Sequence, residues 1–145
     1  MSNPKKDVSV VLVHAAWVDG SSWNKVTEEL QRHGFQVVAA QIPLSSFSDD
    51  VAVLRKVLVR QEGPVVLAGH SYGGAVITAA AASNPNVKAL VYIAAIVPDE
   101  GETVGDVFHR APPHPSAPKL QPDVDGFLWL NVDAFRTAVA PDASS

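Results

Sequence analysis

The chain has 145 residues, 47% of them hydrophobic, a formal net charge of −4 and no cysteine. That length suits one hydrophobic-core domain. The acidic balance offers no basic face for nucleic acid or an anionic membrane, and the missing cysteine removes disulfides, thiolate nucleophiles and cysteine metal sites.

The N-terminus, MSNPKKDVSVVLVHAAW, sets two lysines before a strand-length apolar run that breaks at His14. It has neither the long apolar core nor the small-residue cleavage site of a secretory signal. No run reaches the roughly 18 apolar residues of a membrane span, so a cytoplasmic location is expected. Val8 to Ala15 reads as a strand buried on both faces, because its apolar residues run almost unbroken. SSWNKVTEELQRHG follows as a helix, capped by Ser21 or Ser22, with Trp23, Val26 and Leu30 on one face and Gly34 as its stop. FQVVAAQIP is the next strand. SDDVAVLRKVLVRQEG is the next helix, with Val51, Leu54 and Leu58 inward and Asp49 and Asp50 at the positive end of its dipole. A strand from Pro64 to His70, a helix from Tyr72 to Ser83 and a strand from Val87 to Val97 complete the regular part. This alternation implies a parallel sheet with right-handed crossovers.

Composition changes after Pro98. APPHPSAPKLQP holds five prolines in twelve residues and is excluded from helix and central strand. GFLWL reads as a short strand and VDAFRTAVA as a short helix capped by Asp133. The chain therefore divides into an α/β core over residues 1–98 and a Pro-rich region over residues 99–145.

VVLAGHSYGGAVIT, residues 65–78, carries the chemistry. A buried strand ends at Gly-x-Ser-x-Gly and a helix of small residues begins. Such a corner holds a serine out from the scaffold, in strained backbone, and needs neighbours without bulk. Gly69 and Gly73 supply that, and Gly74 and Ala75 let the helix pack close. Ser71 is then the candidate nucleophile, at the positive end of a helix. The Tyr72 N–H is one candidate oxyanion donor and the Ala16 N–H, from the loop after the first strand, is the other. Trp17 is a candidate pocket residue. His14 and His70 read as structural, and His33 as a solvated side chain at a helix end. No His, Asp and Glu spacing points to a metal, and no cofactor is implied.

VLVHAAWVDGSSW, GHSYGGAVITAAA and VKALVYIAAIVPDEGE together resemble the α/β-hydrolase superfamily, in particular small bacterial esterase-like hydrolases related to plant methyl-ester esterases and hydroxynitrile lyases. The resemblance runs from Val8 to Asp142. It implies half of an α/β-hydrolase sheet, four parallel strands ordered 2-1-3-4 with helices on both faces, and a partial cap after residue 98. It implies carboxylic-ester hydrolysis, with Ser71 as nucleophile and Tyr72 and Ala16 as donors. The family carries His-Gly where this chain has His14-Ala15; a positive φ there would strain alanine and re-aim the Ala16 amide. In chain order the triad is Ser, then Asp or Glu, then His. Here the acid and base are missing from the usual place, and the substitutes within reach of the sequence are Asp99, Glu100, His109 and His114. An incomplete sheet leaves the apolar strand at residues 89–97 as an open edge. Self-association through it, or pairing with a complementary C-terminal fragment, is expected. The alternative is a shortened, non-catalytic association or ligand-binding module.

Overall fold

The structure is a computed structural model and describes residues 7–82 and 84–142. Runs of β-branched residues form four parallel strands, β1 (Ser9–Val13), β2 (Gln36–Ala40), β3 (Val65–His70) and β4 (Val87–Ile93). Their order is β2-β1-β3-β4. β1 is central in register, with Ser9 opposite Gln36 on one side and Val65 on the other. The crossovers are α1 (Asn24–Arg32), α2 (Phe47–Val59) and α3 (Tyr72–Ala81); α4 (Val104–Phe108) and α5 (Val132–Ala138) follow the sheet.

Strand side chains alternate between faces, and each face has its own core. Val11, Val13, Val65 and Leu67 pack with Val51, Leu54 and Leu58 of α2 and Val76, Ile77 and Ala80 of α3. Val10, Leu12 and Ala68 pack on the other face with Trp23, and with Leu30 of α1 at its margin. Each fully buried Leu or Val side chain contributes about 1.5–3 kcal/mol. Helices on both faces and the 2-1-3-4 order agree with the expectation from sequence.

Several local expectations are corrected. Asp19, not Ser21 or Ser22, caps the first crossover. Its carboxylate accepts the Ser21 N–H at 2.8 Å and starts a 3-10 turn (Gly20–Trp23) ahead of α1. Val26 is exposed rather than inward. β4 ends at Ile93, not Val97, because Ala94 turns to φ 42°. α3 ends at Ala81, and Ser83 lies outside the described residues. GFLWL makes only one antiparallel bridge, Pro122 with Leu128. The Asp123 carboxylate, which accepts the amides of Asp125 and Phe127 and the Trp129 indole N–H, folds that segment on itself. Asn131, not Asp133, caps α5 by accepting the Ala134 N–H at 2.8 Å.

The chain forms two compact units, one ending at Val107 and the other starting at Phe108. That division lies beyond the composition break at Pro98. Within the first unit β4 is half open: Leu90 to Ile93 are 36–42% exposed.

Candidate active site

Ser71 lies between the last residue of β3 and the first of α3, at φ 50° and ψ −120°. Residues with a Cβ rarely adopt that backbone, so the chain must be held there. The grip comes from main-chain bonds. The Ser71 N–H donates to the Ile93 carbonyl at 3.2 Å, and the Ser71 carbonyl accepts the N–H groups of Gly74 and Ile96, both at 2.9 Å. The turn of the chain after β4 thus latches the elbow. The side chain takes no part: the Ser71 hydroxyl does not cap α3. Among the described residues it has no hydrogen-bond partner, and it sits half-buried at a helix start.

The glycines around it are explained by close approach. A Cβ on Gly69 would lie 2.6 Å from the Gly73 carbonyl oxygen. One on Gly73 would lie 2.6 Å from the Val13 oxygen and 2.8 Å from the His14 oxygen. One on Gly74 would meet the Ala95 Cβ at 2.6 Å. All are distances at which atoms overlap, so the first turn of α3 can sit against the end of β1 only without side chains. This packing brings the elbow beside the His14–Trp17 loop.

Tyr72 opens α3, and its N–H has no intrahelical acceptor. The Ala16 N–H makes no hydrogen bond among the described residues. The feared strain at Ala15 does not arise: the positive φ of this loop falls on Trp17, at 59°. Trp17 is 38% exposed. His14 is fully buried and orders the loop. Its Nδ1–H donates to the Ala15 carbonyl at 2.8 Å, and its Nε2 accepts the Ile42 N–H at 3.2 Å. With both ring nitrogens engaged, that ring belongs to the scaffold. His70 points to the α1 side of the sheet, its ring edge-on to Trp23 at 6.4 Å.

One group near the elbow escaped the sequence reading. Asp50 is 1% exposed. Its Oδ2 accepts the Tyr72 hydroxyl at 2.6 Å and its Oδ1 accepts the Leu44 N–H at 2.7 Å. Burial, then the Asp50 carboxylate, push the Tyr72 phenol well above its ordinary range. The sequence had marked Asp50 only as a dipole partner, because no local pattern says which face of α2 meets the elbow.

The expected substitutes for acid and base fall in both units. Asp99 and Glu100 are exposed in a turn closed by the Glu102 N–H on the Asp99 carbonyl at 3.0 Å, with Gly101 at φ 85°. His109 follows α4, and His114 accepts the Ser116 N–H within the second unit. Among the described residues none hydrogen-bonds the Ser71 hydroxyl. No group of three His, Asp or Glu side chains among them is placed to hold a metal ion, and no helix is long and apolar enough to cross a membrane.

Known proteins resemble this chain in sequence and fold. A carbendazim-hydrolyzing esterase of Nocardioides sp. is 32% identical over 123 residues, covering 74% of this chain and 50% of that protein. A lipase of Mycobacterium tuberculosis is 31% identical over 116 residues, covering 72% of this chain and 43% of that one. The crystal structure of a pyrethroid hydrolase from Sphingobium faniae superposes with a TM-score of 0.79 at 25% identity, over 93% of this chain and 62% of that chain. The chain thus spans about half the length of the curated relatives it matches. Residues 10–144 match the model of the alpha/beta hydrolase family. A match of that extent, on a sheet of that order with a strained strand-to-helix junction at its centre, makes the chain a member of the alpha/beta hydrolase family.

Proposed function

We propose that the protein is a serine hydrolase of small carboxylic esters, with Ser71 as its nucleophile. The observation that carries this reading is the backbone of Ser71: a strained φ of 50° and a hydroxyl spent on no internal bond. Strain of this kind costs of order 1–3 kcal/mol and persists only where the surroundings over-determine it. A structural serine at a helix start would relax and cap. The relatives named as esterase, lipase and pyrethroid hydrolase support the ester class.

In this reading the Ser71 Oγ attacks the ester carbonyl carbon as its proton passes to a histidine. Charge collects on the former carbonyl oxygen, where the N–H groups of Tyr72 and Ala16 stabilise it. Collapse expels the alcohol, which takes the proton back, and water then hydrolyses the acyl-serine by the reverse roles. The histidine and its acid are supplied from outside β1–β4. The oxyanion donors and binding alone sustain roughly 10³–10⁴-fold acceleration over water when a triad member is missing. Trp17, at the mouth of the same loop, lines the ester pocket.

The test is turnover of p-nitrophenyl acetate and labelling by a fluorophosphonate, each compared with Ser71→Ala. Both are expected to fall to background in the variant. Equal labelling of the two proteins overturns the assignment, and turnover no faster than the variant's returns the chain to a non-catalytic module.

A further inference from the structure

A buried carboxylate is expensive. Removing it from water is costly, and a pair of hydrogen bonds recovers that cost without surplus, so an apolar residue of similar size would serve stability as well or better. Asp50 is nevertheless almost wholly enclosed, on a helix whose core contacts are already made by Val51, Leu54 and Leu58. What its two oxygens hold is therefore informative. Oδ1 takes the amide of Leu44, a residue at φ 57° in the loop between β2 and α2. Oδ2 takes the hydroxyl of Tyr72, the residue directly after Ser71. The phenol ring is further fixed edge-on by Phe47 at 6.4 Å.

The elbow is gripped from two sides. The Ser71 N–H donates to Ile93, and the Ser71 carbonyl, in the same peptide plane as the Tyr72 N–H, accepts the N–H groups of Gly74 and Ile96; the Tyr72 N–H itself makes no hydrogen bond among the described residues. On the Tyr72 side the polar tether is the bond from its hydroxyl to Asp50.

We propose that Asp50 is a positioning residue: acting through the Tyr72 hydroxyl, it fixes the first turn of α3 so that the Tyr72 N–H stays aimed at the oxyanion. This rests on the serine-hydrolase reading above. The strut runs from a rigid helix, through one short hydrogen bond, to the residue whose amide does the work. Its Oδ1 contact with Leu44 keeps the carboxylate itself from turning.

The experiment measures the rate constant for fluorophosphonate labelling of Ser71 as a function of probe concentration. It compares the unaltered chain with Ser71→Ala, Tyr72→Phe, Asp50→Asn and the double variant, each checked for its fold by circular dichroism. Tyr72→Phe keeps the ring and removes only the tether; it is expected to slow the maximal labelling rate about tenfold at an unchanged half-saturating probe concentration. Asp50→Asn, which keeps one acceptor, is expected to fall between, and the double variant to be no slower than Tyr72→Phe alone, because the two act as one unit. Labelling of Tyr72→Phe at the unaltered rate, with Ser71→Ala unlabelled, overturns this inference while leaving the nucleophile in place. If Tyr72→Phe does not fold, Asp50→Asn decides alone, a slowed rate supporting the strut and an unaltered one refuting it. An unaltered chain that labels no faster than Ser71→Ala brings down the serine reading and the strut with it.

Discussion

Ser71 occupies a backbone region that only glycine enters freely. Relief of its strain therefore separates stability from chemistry at one position. Ser71→Gly is expected to raise stability by about 1 kcal/mol, the strain of order 1–3 kcal/mol less the extra chain entropy of glycine. Ser71→Ala, which keeps the Cβ, is expected to give no such gain. Thermal melts of the two variants check this; an Ala variant as stable as the Gly variant would mean the backbone is not strained. The Gly-x-Ser-x-Gly pattern made this residue legible because its strand and helix flank it within the same fourteen residues. Asp50 was not legible, since its partner Tyr72, on α3, is brought to it by α2 packing against α3. The positive φ of Trp17 was not legible either, since no glycine or asparagine marks that position.

At the scale of elements, α2 illustrates what local chemistry decides. Ser46 caps it by accepting the Asp49 N–H at 3.1 Å, ahead of Ser48 where the sequence starts the helix, and Asp49 and Asp50 lie in its first turn as expected. Ser46→Ala is expected to cost about 1 kcal/mol. The Ser46 and Ser45 hydroxyls also hold the Asp49 carboxyl below its ordinary value of 3.8. A carboxyl depressed in the folded state adds stability above its unfolded value and loses it as pH falls through the folded one. The difference in melting temperature between the unaltered chain and Ser46→Ala is thus expected to be full above about pH 4 and to shrink toward pH 2. A difference constant over that range would show that Asp49 is not coupled to the cap. β4 behaves otherwise. Its sequence reads as a strand to Val97, yet it stops at Ile93 because the chain must turn there for the Ile96 N–H to reach Ser71.

For the whole molecule, the outer strand matters most. Val91 lies beside Ala68 in register and so faces the α1 side of the sheet, where it is 41% exposed. Leu90, Tyr92 and Ile93 are similarly open. An open apolar edge strand presents unpaired backbone groups on which another chain can pair. The purified chain is expected to run above its 15.3 kDa monomer mass in light-scattering chromatography, increasingly so with concentration. Val91→Lys, a charge on that open face, is expected to shift it toward monomer with its circular dichroism unchanged. A strictly monomeric unaltered chain at all concentrations would remove the edge as an association surface.

The family resemblance implied the sheet order, and the sequence by itself determined the strands, the crossover helices and the position of the strained serine. Each of the latter three is written in short-range terms, as apolar period, capping residues and glycines at close approach. Only the tertiary structure decided which carboxylate meets the Tyr72 hydroxyl, which loop residue bears positive φ and how the end of β4 latches Ser71. Those outcomes depend on groups far apart in the chain meeting across packed layers, and no local periodicity encodes the distance between them.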